Sequence, residues 1–210
     1  GFEDGNSITV KVWDYDNSRI AITSDSLILG QSKFSTGEFG QFSIEGSIYT
    51  NQQIEIRGGV FNLISANLFP QNLSSEFIFG SLEDLQIVYL DNGSAYIPEY
   101  GINSIGNYDL MEGYHIYTSG EDQILNLSGL TVDATDWEIN LLPNQFNSIA
   151  YLHENSMDAE LAMASISDLV EIVQDDAGNA WIPEFGGTLG NLMPGKGYQV
   201  FTNVDTIVPF

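Results

Sequence analysis

The sequence predicts a β-rich α+β protein, in which a short all-β segment (residues 1–50) precedes two homologous strand-helix-strand-hairpin modules (residues 51–129 and 130–210). Two observations predict this class. The motifs of residues 51–129 recur in residues 130–210, and apolar residues often alternate with polar residues at the period of half-buried strands. We call residues 51–129 the first repeat and residues 130–210 the second repeat.

Four motifs recur in the same order at an offset of 84 or 85 residues. They pair Phe61-Asn62 with Phe146-Asn147, Ser81–Leu85 with Ser165–Leu169, Tyr96–Tyr100 with Trp181–Phe185, and Gly113–Thr118 with Gly197–Thr202. Tandem units are typical of arrays that reuse a module for shape, reach or multivalent binding. The duplication therefore favours an architectural role over a single active site.

Residues 1–50 differ from the repeats and predict short strands. The alternation of Ile8, Val10 and Val12 predicts a half-buried strand, and a return strand follows at Ile20 and Ile22. Further short strands are predicted at 27–29 and 39–44. Because so short a segment rarely forms a stable sheet sandwich, we expect it to pack on the first repeat or to end a preceding domain.

Each repeat contains one predicted helix among its strands. The helix runs from Ser74 to Leu85 in the first repeat and from Ser156 to Leu169 in the second, where Ser156 or Asp158 would cap it. Turns follow at Asp91-Asn92-Gly93 and Asp176–Asn179. The predicted strands are 54–56, 61–69, 86–90, 95–97, 114–118 and 124–127, and then 139–141, 146–152, 171–174, 180–182, 198–202 and 206–208.

The chain is strongly acidic, with 29 Asp and Glu residues, 5 Lys and Arg residues and a formal net charge of −24. This charge repels nucleic-acid phosphates and anionic lipid headgroups, so we expect neither nucleic acid nor a membrane surface as a partner. No run approaches the ~20 apolar residues of a membrane span, and cysteine is absent, which excludes disulfides. The turn-like opening without a signal peptide leads us to expect a mature or excised segment.

Two clusters of oxygen ligands are candidates for Ca²⁺, the one cofactor that the composition suggests. They comprise Asp14, Asp16 and Asn17, and Asp175, Asp176 and Asn179. Carboxylate and amide oxygens are the ligands that Ca²⁺ prefers, but neither cluster matches the EF-hand loop. The alternative is that these residues simply form tight turns, which favour Asp, Asn and Gly.

Four aromatic residues around the Ile-Pro motif are the candidate ligand-binding residues: Tyr96, Tyr100, Trp181 and Phe185. Both repeats keep these positions aromatic, and flat rings offer stacking faces whose repetition would add avidity for a polysaccharide. The alternative is that the rings fill a core or the contact between modules. We expect Tyr96 and Trp181, at a strand end, to be the most exposed.

Candidate catalytic groups are few. His115 and His153 occupy non-equivalent positions outside any motif, so we expect structural roles for them. Glu99 and Glu184 both follow Ile-Pro but lie in different repeats, whereas a glycosidase needs two acids about 5–10 Å apart. We therefore expect a protein that is not an enzyme.

The order of the motifs points to a family. Phe-Asn-x-Ile, a short helix, Gly-x-Ala-Tyr/Trp-Ile-Pro, Gly-Asn and Gly-Tyr-x-Ile/Val-Tyr/Phe-Thr follow one another in each repeat. This order resembles a repeat of large secreted and cell-surface proteins of Bacteroidota and related bacteria, often found near type IX secretion signals. The opening segment Gly1–Asp14 similarly resembles the strand that often precedes such repeats. In a departure from the pattern, Leu110–Gly113 stands where the second repeat has Pro194–Gly197.

The resemblance implies an extracellular location, at the cell surface or secreted. It also implies O-glycosylation at Asp-Ser/Thr-aliphatic sites. Asp25-Ser26-Leu27 and Asp205-Thr206-Ile207 fit that pattern, which makes Ser26 and Thr206 the predicted acceptors.

Together these observations predict a non-enzymatic structural or adhesive segment of an extracellular bacterial surface protein or filament. The alternative is a carbohydrate-binding module of a secreted polysaccharide-acting protein. The expected partners are neighbouring modules of the same or identical chains, or polysaccharide. We expect end-to-end contacts through Ser7–Trp13 and the apolar terminus Ile207–Phe210, because a terminal repeat leaves a face uncovered. The alternative is that Val208 and Phe210 fold back into the second repeat.

Overall fold

The computed structural model describes residues 3–14, 19–20, 22–30, 32–47 and 49–209. The chain divides into two compact units, Gly1–Tyr49 and Thr50–Phe210. The strands pair in antiparallel sheets, and the predicted β-rich character is confirmed. Among the described residues, no helix is long and apolar enough to cross a lipid bilayer.

Among its described residues, the unit Gly1–Tyr49 contains two antiparallel strand pairs. β1 (Trp13–Asp14) pairs with β2 (Arg19–Ile20), and β3 (Ile22–Gly30) pairs with β4 (Gly40–Ser47). The strands predicted at 27–29 and 39–44 are therefore confirmed, but the strand predicted from Ile8 to Val12 is wrong. Ile8 and Val12 are exposed, so their alternation with polar residues does not correspond to a buried face.

The first repeat and the strand that leads into it contain eight strands, one α-helix and one 3-10 helix. In chain order these are β5 (Tyr49–Ile56), β6 (Phe61–Ile64), β7 (Leu68–Pro70), α1 (Ser75–Phe79), β8 (Leu85–Tyr89), β9 (Ala95–Ile97), the 3-10 helix Pro98–Tyr100, β10 (Ile102–Asn103), β11 (Tyr114–Thr118) and β12 (Gln123–Thr131). One sheet has the order β10-β9-β8-β11-β6 and a second has the order β5-β12-β7.

The second repeat contains nine strands, one α-helix and two 3-10 helices. In chain order these are the 3-10 helix Ala134–Asp136, β13 (Glu138–Leu141), β14 (Gln145–Ile149), β15 (Met157–Asp158), α2 (Ala159–Ala162), the 3-10 helix Ala164–Ile166, β16 (Val170–Gln174), β17 (Ala180–Ile182), β18 (Gly186–Gly187), β19 (Asn191–Leu192), β20 (Tyr198–Thr202) and β21 (Thr206–Pro209). Its main sheet has the order β14-β20-β16-β17-β18, and β13 pairs with β21 and β15 with β19.

The two five-stranded sheets share one strand order. Each places the Phe-Asn strand (β6 or β14) beside the Gly-Tyr strand (β11 or β20), followed by the strand after the helix and then the hairpin strands. The register shifts at the same place in both sheets, where Thr118 lies opposite Leu85 and Thr202 lies opposite Val170. The Tyr114 and Tyr198 hydroxyls each accept a hydrogen bond from a backbone N–H, that of Asp109 and of Met193 respectively.

Both helices are shorter than the sequence predicts. α1 ends at Phe79, and the chain then turns through Gly80 and through Asp84, whose φ of 50° lies in the left-handed region, before β8 begins. α2 ends at Ala162, and a 3-10 helix replaces its continuation. The Asp158 side chain caps α2 by accepting from the Glu160 N–H, as predicted. The apolar spacing extends past each helix because the following turns also bury apolar side chains, including Leu82 and Ile166.

Each repeat surrounds an apolar core, and the two cores exchange residues. Phe79 and Tyr114 are fully buried in the first core. Ala150 and Leu152, although they belong to the second repeat, are part of that core too. Met111 of the first repeat in turn packs against the second core. The repeats are thus joined by apolar packing as well as by chain connection.

The C-terminal strand folds back into the second repeat. β21 pairs with β13, with Val208 opposite Ile139, so residues 206–209 are paired within their own repeat. For Val208 this is the fold-back alternative that the sequence offers, whereas an end-to-end contact with another chain stays a prediction. Phe210 lies outside the described residues.

Candidate functional site

The predicted ligand-binding residues of the second repeat, Trp181 and Phe185, line a surface groove of about 680 Å³. The turn after β17 forms one wall, and the segment from α2 to β16 forms the other. The lining residues are Glu160, Ala164, Ser167, Asp168, Val170, Glu171, Trp181, Ile182, Pro183, Glu184, Phe185 and Gly186. The structure therefore brings Trp181 and Phe185 together at one surface.

The expectation that Trp181 is exposed is wrong. Trp181 is 7% exposed and belongs to the second core. Its register explains this, because β17 places Trp181 opposite the fully buried Val173 and side chains alternate along a strand. The equivalent Tyr96 is half-buried against the first core, and burial, together with the nearby Glu76 carboxylate, raises its pKa.

Of the two aromatic residues of the motif, the second is the exposed one in each repeat. Tyr100 is 71% exposed in the first repeat and Phe185 is 85% exposed in the second. Because these positions are equivalent, the fold presents one bare aromatic face at the same turn of each repeat. Such faces can stack against sugar rings or other flat apolar groups.

The groove beside Phe185 is acidic. Its lining includes the carboxylates of Glu160, Asp168, Glu171 and Glu184 but no basic side chain. Glu184 has a φ of 68°, a left-handed conformation that residues other than glycine rarely adopt. The groove can therefore offer a stacking surface together with hydrogen-bond acceptors for hydroxyl or amino groups.

The predicted calcium ligands of the second repeat are engaged within the chain. The Asp175 carboxylate accepts hydrogen bonds from the backbone of Ala177 and from the backbone and side chain of Asn179, which forms a tight turn. The Asp176 carboxylate faces Arg57 instead. In the part of the chain that the structure describes, no group of three or more His, Asp or Glu side chains is arranged to hold a metal ion. Asp14 lies in β1, and Asp16 and Asn17 lie outside the described residues.

The predicted glycosylation residues both lie in strands. Ser26 is in β3 opposite Ser43, and Thr206 is in β21 opposite Leu141. Their modification stays a prediction.

His153 accepts a hydrogen bond from the Asn67 side chain through its backbone carbonyl, and its ring lies 5.4 Å from that of Tyr151.

The contact between the two repeats is reciprocal: each backbone hydrogen bond across it has an equivalent in the opposite direction. The Ser65 N–H donates to the Gly195 carbonyl (3.2 Å), and the equivalent Ala150 N–H donates to the Met111 carbonyl (3.0 Å). The equivalent pairs are Ser65 with Ala150 and Met111 with Gly195, at the offsets of the sequence repeat.

A second pair of backbone hydrogen bonds follows the same rule. The Gly197 N–H donates to the Leu63 carbonyl (3.0 Å), and the Gly113 N–H donates to the Ser148 carbonyl (2.9 Å). Between these bonds lie two equivalent antiparallel bridges, Ile64 with Lys196 and Ile149 with Glu112. The loop before the Gly-Tyr strand of each repeat therefore pairs with the free edge of the Phe-Asn strand of the other.

A carboxylate from each hairpin turn completes the contact. Asp176, after β16, accepts a hydrogen bond from the Leu63 N–H at 3.1 Å. Asp91, at the equivalent position after β8, accepts one from the Ser148 N–H. Each acid also lies beside a basic side chain. Arg57 of the other repeat pairs with Asp176 at 2.8 Å, and the His115 ring of the same repeat lies 3.4 Å from Asp91. We call this set of residues the docking contact.

Ser148, His115 and Asp91 meet in the docking contact, but not as a nucleophilic triad. Ser148 Oγ lies 2.9 Å from His115 Nε2 and donates to Asp91 Oδ1 at 3.0 Å. In a triad the acid holds Nδ1 while the serine faces Nε2, whereas here both groups face Nε2. Ser148 is also only 4% exposed. This geometry suits a structural contact.

Two acids of the docking contact have pKa values shifted in opposite directions. Burial raises the pKa of Asp91, but hydrogen bonds from His115 and Ser148 outweigh this effect and hold it below its ordinary value. Burial, with the nearby charges of Asp109 and Asp91, raises the pKa of Glu112 from 4.5 to about 7. Both acids line a cavity of about 430 Å³ at the junction of the repeats.

The docking contact is not predicted from the sequence. The available signal was the equivalence of Asp91 and Asp176 and of Gly113 and Gly197, but most of the bonds use main-chain atoms that leave no residue signature. Comparison with protein-family models, with curated proteins and with solved structures finds no match to this chain.

Proposed function

We propose that this chain is a non-enzymatic structural or adhesive segment of an extracellular bacterial surface protein or filament. Its residues 51–129 and 130–210 would be two homologous strand-helix-strand-hairpin modules, preceded by the β segment 1–50. The observation that carries this proposal is the docking contact. Its reciprocal hydrogen bonds join the two modules, and the hairpin turn of each module takes part in them.

The equal strand order of the two five-stranded sheets supports the duplication. So do the equivalent register shifts opposite Thr118 and Thr202. Two unrelated folds placed in series would not reproduce both features at the offset of the sequence motifs. The extracellular and type IX secretion context rests on the resemblance to Bacteroidota surface repeats, and the high acidic charge is compatible with it.

Calorimetry of the full chain tests the structural role. If docking joins the modules into one element, residues 50–210 unfold in a single transition, and Asp176→Ala lowers its temperature or divides it into two. Asp168→Ala is the matched control, because it removes an exposed acid away from the docking contact. Separate transitions for the first and second repeats in the unmodified chain would contradict a structural role that depends on docking.

Carbohydrate binding is a second candidate, favoured by the equivalent exposed rings Tyr100 and Phe185. A glycan array would reveal specific binding that Phe185→Ala or Tyr100→Ala weakens, with loss of both rings costing more than either alone through avidity. Phe77→Ala is the control, because Phe77 is 67% exposed on α1. Binding that is equally sensitive to all three substitutions would contradict a site at the Ile-Pro motif.

A further inference from the structure

The reciprocity of the docking contact makes it an isologous contact, in which the same face of each partner meets the other. The N–H of Leu63 in the first repeat donates to Asp176 of the second. The N–H of the equivalent Ser148 in the second repeat donates to Asp91 of the first. An isologous contact is closed, because two faces satisfy each other completely. A third module cannot join through this face, so the contact does not extend into an open array.

The partners in the contact are largely main-chain atoms. Ser65, Gly113, Ala150 and Gly197 donate through backbone N–H groups to backbone carbonyls of the other repeat. Asp91 and Asp176 likewise accept from backbone N–H groups. Because every copy of the module presents such backbone groups, the contact does not require the two repeats to come from one chain.

We propose that this face is a self-complementary docking surface whose alternative partner is a second copy of this chain. Two chains would exchange repeats, so that the second repeat of each docks on the first repeat of the other. This proposal rests on the proposed two-module architecture. The exchanged dimer keeps every bond of the docking contact and differs only in the path of the connection between the repeats.

The connection allows such an exchange. It passes from β12 to β13 through residues 132–137. Asp133, Thr135 and Asp136 are exposed there, whereas Ala134 is buried in the first core, so exchange has to release Ala134 and bury it again. Exchange of an identical element between protomers is a low-cost route to a dimer when the hinge is a short surface segment. A short tether gives the linked repeats an effective concentration on the order of millimolar, so closed monomers dominate in micromolar solution. Exchange is therefore favoured when chains refold together at high concentration.

A disulfide trap tests the proposal, because the chain has no cysteine of its own. One chain carries Lys196→Cys and the other carries Ile64→Cys, which are partners in a bridge of the docking contact. Side chains of such antiparallel partners lie close enough for a disulfide. Chains unfolded and refolded together at high concentration, then oxidised, are predicted to give a mixed disulfide-linked dimer. Mixing the two chains after separate refolding is predicted to give several-fold less.

The control partner for the Lys196→Cys chain carries Phe77→Cys, on an exposed face of α1. Equal yields of mixed dimer with this control and with Ile64→Cys would overturn the proposal. A single chain carrying both Ile64→Cys and Lys196→Cys separates the two ideas. If it forms an internal disulfide as a monomer while the mixed pair does not cross-link, docking stands and exchange fails. If the folded double variant forms no internal disulfide, the docking contact itself is contradicted.

Discussion

Asp91 and Asp176 make the same backbone hydrogen bond in the two repeats but have different side chains around them. Each lies in the hairpin turn of its own repeat and accepts a backbone N–H from the Phe-Asn strand of the other. Arg57 balances Asp176, whereas His115 and the Ser148 hydroxyl accompany Asp91. The two repeats therefore share the hydrogen bond from a backbone N–H to the aspartate, and they differ in the side chains around it.

Removal of either carboxylate should weaken the native state. Asp176→Ala leaves the buried Leu63 N–H without its partner, so we expect the free energy of unfolding to fall by about 1–3 kcal/mol. Asp91→Ala should have an effect of similar size at Ser148. Chemical denaturation measures both, with Asp168→Ala as the control expected to change stability by less than about 0.5 kcal/mol. A control-sized effect of Asp176→Ala would mean that the docking contact contributes little.

Glu112 should make stability depend on pH near neutrality. Its folded-state pKa of about 7 lies above the ordinary 4.5, so the folded state binds the proton more tightly than the unfolded state. This acid therefore lowers stability progressively as pH rises from about 4.5 to about 7, and has no such effect below that window.

The substitution Glu112→Gln should remove this pH dependence. We expect it to raise the free energy of unfolding by about 1–2 kcal/mol at pH 8, less than the full shift implies because the side chain is partly exposed to solvent. At pH 4 the variant and the unmodified chain should be nearly equal. Denaturation curves at both pH values measure the difference, and an equal effect at pH 4 and pH 8 would exclude titration of Glu112 as the cause.

At the scale of elements, Gly113 and Gly197 show why the Gly-Tyr motif recurs. A Cβ atom at Gly197 would lie 3.0 Å from the Ile64 carbonyl, and one at Gly113 would lie 3.1 Å from the Ile149 carbonyl. These are tight contacts with the backbone of the opposite repeat. Glycine in this motif therefore allows the close approach of two backbones rather than a special turn.

Side chains at these glycines should push the repeats apart. We expect Gly113→Ala and Gly197→Ala each to lower the free energy of unfolding by about 1–2 kcal/mol, through overpacking against a backbone that can yield only slightly. Valine at the same positions should cost more than alanine. Thermal denaturation provides the measurement, and valine variants as stable as the unmodified chain would show that the repeats are not so closely packed there.

Strands bounded by turn residues could be predicted from the sequence, and the remaining elements less well. Ala95–Ile97 and Ala180–Ile182 match the prediction because a hairpin turn and a proline delimit them. The apolar spacing predicts helices that are too long because apolar residues also line the turns after α1 and α2. The burial of Trp181 cannot be predicted from the sequence because the register that places it opposite Val173 depends on tertiary pairing. The groove and the docking contact likewise arise from segments distant in the chain.

The net charge of −24 affects the stability of the folded chain as a whole. Repulsion among carboxylates opposes the compact state and is screened as ionic strength rises. We expect the melting temperature to rise between dilute buffer and seawater-like NaCl, by about 2–4 °C for each kcal/mol of repulsion removed. Differential scanning calorimetry measures it, and a melting temperature independent of salt would show that the charges are too widely spaced to interact.

The closed docking contact also determines where a further module could attach to the repeats. A series of modules joined head to tail presents a free face at each end. The docking contact instead satisfies both repeats mutually, so any further module of a longer protein would have to attach through another surface. The exposed rings of Tyr100 and Phe185 lie outside the docking contact and stay available to a ligand.

Amide hydrogen exchange of the full chain tests the central claim most directly, because the docking bonds are backbone bonds. The N–H groups of Ser65, Ala150, Gly113 and Gly197 each donate across the contact. If the repeats are docked reciprocally, all four amides exchange slowly, equivalent amides are protected to a similar degree, and Asp176→Ala or Asp91→Ala reduces the protection of both pairs. Exchange of these four amides at the rate of exposed loops, while the β11 and β20 amides stay protected, would contradict reciprocal docking.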